Sequence, residues 1–259
     1  MNNLKKSVEG AQSVFRALDL LDLIAKHHGD GVDLASLVSE TQLDRTTAYR
    51  LVSTLQQENL VERDPVTKRY RLGLESMQIG LTAMSRAPIL EDCRPVMQAI
   101  AHETEDTVYL IVRNGDYSHC LHVEHGAFPI RTMMQHVGEL RVLGLGAGGQ
   151  ALLATLPDSV VDGIYRRNER GYAHIGITHS QLLQRVAQIR HEGYAFTQNL
   201  ITDGVSSIGL AFQIHHGDHA AISLACINAR ICAQRQIELV ELLRQKIREL
   251  GFSPVMPHS

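Results

Sequence analysis

The sequence predicts an α+β chain in two parts, and three observations predict it. Apolar residues recur at helical spacing in three short stretches before residue 58 and then give way to two short strand-like runs. Beyond residue 88, strand-like runs alternate with longer helical stretches, the pattern of a mainly antiparallel sheet flanked by helices. The composition also changes near residue 73. Ten Lys or Arg balance ten Asp or Glu up to Arg71, whereas 15 face 18 afterwards, and twelve of the 14 histidines lie beyond residue 100. The chain has 259 residues, 44% hydrophobic and 20% charged, enough to bury a core without staples. Its net charge of −3 excludes bulk basicity, so any polyanion must be met by one local face. Four irregularly spaced cysteines, Cys93, Cys120, Cys226 and Cys232, argue against a disulfide scaffold and fit a reducing compartment. No apolar run approaches the roughly 18 residues of a membrane span. MNNLKKSVEG lacks the apolar stretch of a signal peptide. A cytoplasmic protein without a membrane partner is therefore expected.

The first part begins with Lys5 and Lys6, which read as a basic arm. A helix follows with Ala17, Leu18, Leu21, Ile24 and Ala25 on one stripe, broken by His28-Gly29-Asp30-Gly31. Asp33 is placed to cap a second helix carrying Leu34, Leu37 and Val38, and Asp44 to cap a third carrying Ala48, Leu51, Val52 and Leu55. Only Thr41-Gln42-Leu43 separates them. After Glu58-Asn59, the runs 60–63 and 69–72 read as strands joined by a loop at Asp64-Pro65-Val66-Thr67-Lys68. Three short helices and a hairpin make the plan of a winged helix-turn-helix. Residues 74–86 read as a connecting helix, and Pro88 opens a new unit. The expected domains are therefore 11–73, a linker helix 74–87, and 88–257.

In the second part, ILEDCRPVMQAIAHET predicts a helix, TVYLIVR and HCLHVEH strands, and PIRTMMQH a third strand. LGLGAGG is a glycine-dense loop leading into the helix QALLATL. LLQRVAQIRHEGY is a helix ended by Gly193. SSIGLAFQIH and HAAISLACIN are strands joined at His216-Gly217-Asp218, and QIELVELLRQKIREL is the last helix.

The third helix has an informative outer side. With its apolar residues inward, it shows Arg45, Thr46, Thr47, Tyr49, Arg50 and Ser53. Arginine can pair bidentately with guanine, threonine can meet a thymine methyl, and hydroxyls can reach phosphate. An ordinary solvated polar face is the alternative. The hairpin residues Lys68, Arg69 and Arg71 weigh against it, since a backbone clamp is needed there. The glycines 144, 146, 148 and 149 let a ligand approach the backbone of a helix start, where free N–H groups favour a carboxylate; a flexible connection is the alternative.

Other groups invite chemistry and lack the pattern for it. In a regular strand, Cys120 and His122 share a face, but with His119 and His125 they match no standard zinc spacing. No metal or cofactor is expected. Cys226 and Cys232 read as small buried fillers. Ser206 or Ser207 near histidines could be assembled into a hydrolase-like site, yet no GxSxG, HExxH or P-loop pattern is present. The chain is not expected to be an enzyme.

RALDLLDLIA followed by DLASLVSETQLDRTTAYRLVSTLQQENLVERDPVTKRYRLG resembles the DNA-binding domain of the IclR family of bacterial transcription regulators. Downstream, VGELRVLGLGAGGQALLA, GYAFTQNLITDGVSSIGLAF and AAISLACINARI are similar to that family's glycine loop, Gly-Tyr-Ala segment and Ala-Ala-Ile-Ser strand. The resemblance covers nearly the whole chain. It implies a GAF-like effector-binding domain, a homodimer or homotetramer, a double-stranded DNA operator, and repression or activation switched by a small metabolite. It points to the amides of Ala147 and Gly148 for the effector's acid end, with Thr197, Ser207, Ser223 and Ala225 as partners on facing strands. Several positions depart from the family's pattern: Thr197 for an Asp, Asn199 and Leu200 for an acidic pair, Ser207 for a Cys, Ala225 for a Ser, and Gln150 for a Lys. The expected pocket is less charged, with Tyr109, Leu121, Met134 and Leu145 as walls, and suits a carboxylic acid with an apolar or aromatic body. A hydrolase-like use of this domain, or an assembly module without ligand, are the alternatives.

Overall fold

The computed structural model describes residues 11–84, 88–130, 132, 135–214 and 218–255, and the chain divides into two compact units, Met1–Ala87 and Pro88–Ser259. Lys5, Lys6, Met134, His216 and Gly217 lie outside the described residues.

In the first unit, α1 (Gln12–Lys26), α2 (Leu34–Thr41) and α3 (Arg45–Gln57) enclose a core of Leu20, Leu23, Ile24, Leu37, Val52 and Leu55. Both helix starts are fixed by the aspartates at the expected positions. Asp33 Oδ1 accepts from the Ser36 amide at 2.8 Å, and Asp44 Oδ1 from the Thr47 amide at 2.9 Å. Between α2 and α3, Gln42 takes φ 57°, the left-handed geometry that ends a helix abruptly. Strands β1 (Val61–Arg63) and β2 (Tyr70–Leu72) pair antiparallel, with Glu62 opposite Arg71 and Arg63 opposite Tyr70. Val32 adds to the outer edge of β2, exchanging two backbone hydrogen bonds with Tyr70 at 3.0 and 2.7 Å. Tyr70 is thereby sealed into the core at 2% exposure. Helix α4 (Leu74–Met84) follows at once and leaves Leu74, Met77, Ile79 and Leu81 exposed.

The second unit opens with α5 (Pro88–Thr104). Its strands are β3 (Thr107–Asn114), β4 (Tyr117–Glu124), β5 (Leu140–Val142), β6 (Ala195–Gln198), β7 (Val205–Gln213), β8 (His219–Ile227) and β9 (Ser253–Pro254). They form one sheet in the order β5-β4-β3-β8-β7-β6, with β9 also on β7, and every pair is antiparallel. Its helices are α6 (Ala147–Ala154), α7 (Asp158–Arg167), α8 (Glu169–His174), α9 (His179–Glu192) and α10 (Ala233–Glu249). Helices α6 and α9 pack on one face of the sheet, α5 and α10 on the other. Central strands covered on both faces are buried along nearly their whole length, which is why β7 and β8 read as continuous apolar runs instead of alternating ones.

Three expectations need correction. The described residues of PIRTMMQH form no strand. Pro129 has no N–H to give a ladder, and the Gln135 side chain and His136 amide are taken by Glu139, which closes a turn. The strand beside β4 is instead β5, Leu140–Val142. Cys120 and His122 do not share a face. A bulge pairs Leu110 with His122 but Ile111 with Cys120, so the two side chains diverge. Cys232 is no buried filler; it is exposed and caps α10, its sulfur accepting from the Arg235 amide at 3.5 Å.

Helix α6 lies directly on the sheet because glycine permits it. A Cβ on Gly209 of β7 would fall 2.5 Å from the Ala147 carbonyl carbon and 2.7 Å from the Gly148 nitrogen. A Cβ on Gly148 would fall 3.0 Å from Ile111 and 3.1 Å from Ser223 Oγ. Gly209→Ala is therefore expected to destabilise the second unit by about 2 kcal/mol or more through overpacking. Gly80→Ala, inside α4 with nothing within 4 Å of the added methyl, should stabilise by up to about 1 kcal/mol. Thermal denaturation of the two variants checks both signs.

Candidate nucleic-acid interface and effector site

The outer side of α3 carries its polar residues as one patch. Arg45, Thr46, Tyr49 and Arg50 are exposed, and Ser53 is half-buried one turn further along the same side. Thr47 sits at the flank, half-buried, with its amide held by Asp44. Hydrogen bonds from the Thr47 hydroxyl and then its amide hold the Asp44 carboxyl below its usual range, as hydrogen bonds from Ser36 do for Asp33. A carboxylate lowered in this way stabilises fully above the unfolded value of 3.8, and the contribution is lost as pH falls through the lower folded value.

The hairpin tip is closed by its own side chains. Asp64 Oδ1 accepts from the amides of Val66 at 2.8 Å and Thr67 at 2.7 Å, and Lys68 takes φ 61°. Of the residues expected at the clamp, Lys68 donates to the Pro65 carbonyl at 2.7 Å and Arg69 to the carbonyls of Asp30 and Gly31 at 3.2 and 3.3 Å. Arg63, which the sequence reading passed over, stands with its guanidinium 5.3 Å above the Tyr70 ring.

The residues expected at the effector site lie together on the α6 side of the sheet. In an antiparallel sheet, directly opposed residues share a face, as do residues two apart on a strand. The register sets Thr197, Ser207, Ala225 and Thr107 in one row, and Ala195, Gly209, Ser223, Tyr109 and Val123 in the next. Gly209 and Ser223 lie under the first turn of α6, while Ala151 reaches Ala211 further along β7. The helix thus runs away from the Thr197–Ser207 row, and its N-terminal amides, at Ala147 and Gly148, face that row. Thr197, Ser207, Ser223, Tyr109, Ala147 and Leu145 are all buried, and Leu121 is half-buried at the β4 bulge. Tyr109 donates its hydroxyl to the Thr132 carbonyl, and Thr132 donates to the Ala225 carbonyl at 3.0 Å, so a strap crosses this face.

Sequence reading missed two features here. Thr132 was hidden in a stretch read as a strand. Arg141 of β5 pairs with Ser118, which faces α6, and its guanidinium lies 3.7 Å from where a Cβ on Gly146 would stand. It is held to Glu139 at 3.0 Å and supplies positive charge beside the helix start. The loop itself is positioned by Tyr172, fully buried, which donates to the Leu143 carbonyl.

The groups that suggested metal or covalent chemistry are otherwise engaged. Burial pushes the Cys120 thiol up to about 12, and His122 bonds Glu124 at 3.2 Å. Ser206 donates to Asn228 Oδ1 at 2.7 Å on the opposite face from Ser207. Among the described residues, no group of three or more His, Cys, Asp or Glu could hold a metal ion. None of the described helices is long and apolar enough to cross a membrane.

Residues 81–251 match the family described as bacterial transcriptional regulator IclR C-terminal, and residues 13–65 match the IclR helix-turn-helix domain. The chain belongs to the IclR family. The HTH-type transcriptional regulator KipR of Bacillus subtilis is 27% identical over 249 residues, covering 93% of this chain and 98% of that protein. The transcriptional repressor IclR of Escherichia coli is 25% identical over 252 residues, covering 93% and 89%. An IclR regulator from Alicyclobacillus acidocaldarius has the same fold, with a TM-score of 0.78 at 20% identity over 92% of this chain and 97% of that one. As an IclR-family member, the chain is a DNA-binding transcription regulator with an operator as its partner, and not an enzyme.

Replacing Asp44 with Ala should lower the melting temperature of the first unit at neutral pH. The wild type's advantage should shrink below pH 3.8, as the capping carboxylate takes up a proton. Melting curves of both proteins across that range test the cap.

Proposed function

We propose that this IclR-family regulator is switched by a small carboxylic acid with an apolar or aromatic body, bound where α6 begins. The domains are read as 11–73 for DNA, 74–87 as the linker helix and 88–257 for the effector. One observation carries the reading. The amide end of α6 faces a row whose polar groups are the hydroxyls of Thr197, Ser207 and Thr107, with no acidic side chain in it. Backbone amides and a helix dipole stabilise an anion there, and hydroxyls hold it without repelling it. Tyr109, Leu145 and Ser223 complete the lining, and the absence of an acid from the Thr197 row leaves the far end to apolar groups.

On DNA, Arg45 and Arg50 are read as base or phosphate contacts, with Thr46, Thr47, Tyr49 and Ser53 beside them and Lys68 and Arg69 at the clamp. A homodimer would present two such helices to a pseudo-palindrome. The apolar residues exposed on the first unit, Val14 and Leu18 of α1 and Leu74, Met77 and Leu81 of α4, support a second copy as partner. Effector binding would bias one arrangement of the paired readers over another. The relatives from Escherichia coli and Salmonella typhimurium named as repressors support repression as the mode.

Arg50→Ala is expected to weaken operator binding by about 1–3 kcal/mol if it reads a base; a footprint as strong as wild type's removes α3 as the reader. In a thermal-shift panel of small acids, aromatic and longer monocarboxylates should raise the melting temperature, and Ser207→Ala should reduce that rise. Stabilisation by glyoxylate-like acids alone refutes the aromatic body.

A further inference from the structure

We infer that Arg63 is a preorganised phosphodiester clamp of the wing, and that it holds the DNA backbone more directly than the lysine and arginine at the hairpin tip. The wing carries four cations, Arg63, Lys68, Arg69 and Arg71, and the structure engages them differently. Lys68 folds back to donate to Pro65 at 2.7 Å, closing its own loop. Arg69 reaches across to the carbonyls of Asp30 and Gly31 and ties β2 to the loop before α2. Arg71 is half-buried, with its Nε enclosed and unpartnered. Each of the three is bent toward the protein.

Arg63 is exposed on β1, the edge strand of the wing opposite the Val32 side. Its Nε donates to the Lys68 carbonyl at 3.1 Å, and its guanidinium carbon sits over the ring of the buried Tyr70, 5.3 Å from the centroid. One nitrogen is therefore bonded, and the charge rests over an aromatic ring. The two Nη groups have no partner among the described residues, and no carboxylate neutralises the charge. A guanidinium held by Nε and drawn over an aromatic ring presents the remaining N–H pair as an oriented fork, which matches the two non-bridging oxygens of a phosphate. Binding then costs little side-chain ordering, because the rotamer is already held in the free protein. The glutamate beside it, Glu62, is opposite Arg71 across the hairpin, so it is matched by charge away from Arg63.

The test uses the full chain and two labelled random-sequence duplexes, one GC-rich and one with A-tracts, titrated across a range of salt. A phosphate contact is independent of sequence, so Arg63→Ala should reduce the slope of log affinity against log salt by about 0.9 per bound protomer on both duplexes. Arg166→Ala, an exposed cation of the second unit, should leave the slope at the wild-type value. Arg63→Lys should keep most of the slope yet bind several-fold more weakly, because an ammonium lacks the fork. If Arg63→Ala melts early, Arg63→Gln, which keeps a donor for the Lys68 carbonyl, takes its place under the same criterion. An unchanged slope in a normally melting variant overturns the inference. So does a loss confined to the A-tract duplex, which would put the side chain in the minor groove instead.

Discussion

A helix can bring its first amides onto the face of a sheet only where neither surface carries a side chain between them. That constraint organises the second unit. Gly209 gives β7 a bare patch, and Gly148 and Gly149 give α6 a bare first turn. The helix settles onto backbone and is buried on every side, including both glycines. The consequence is directional. The amides that a helix start leaves without intrahelical partners are placed close above the sheet, facing the level of Ser207 and Thr197.

The first unit solves a different problem with polar groups. An eight-residue α2 and a thirteen-residue α3 are too short to be stable by propensity, and tertiary packing must hold them. Asp33 and Asp44 set where each begins, and the left-handed Gln42 sets where α2 ends. With both ends fixed, Val52 and Leu55 can turn only inward, and Arg45, Thr46, Tyr49 and Arg50 only outward. The polar outer face of α3 is thus a by-product of capping chemistry as much as of the apolar stripe.

Much of this was legible because local chemistry decided it. The caps, the helix break at residues 28–31, the hairpin around Asp64-Pro65 and the Gly193 stop all follow from residue types whose preferences hold in any context. The IclR resemblance added what short-range signals do not encode, namely which strands face the glycine loop. The misreadings came where a long-range partner overrode the local pattern. The stretch around Thr132 has strand-like composition, but its polar groups are spent on Ala225, Tyr109 and Glu139. The bulge at Leu110 and Ile111 shifts the β4 parity in mid-strand, and a reading that alternates faces strictly has no means to see it. Arg141 was overlooked for the same reason, since its facing depends on pairing with Ser118 in a strand only three residues long.

Charge is the property least readable from sequence at the wing. By count, Lys68, Arg69 and Arg71 make the hairpin basic, and they look equivalent. In the fold they are distinguished by where backbone carbonyls point. A cation that satisfies two carbonyls holds loops together and contributes to an external anion only by breaking those bonds. A cation held at its inner edge, with its outer edge empty, does the reverse: its internal bond improves its aim. Arg63 acquires that geometry from Tyr70, whose ring is fixed because Val32 seals the far side of β2. The chain of dependence runs from a core aromatic, through a two-bond bridge at Val32, to one exposed guanidinium. Opening the Val32 bridge would therefore be felt at the exposed Arg63 guanidinium even though Val32 and Tyr70 are themselves buried.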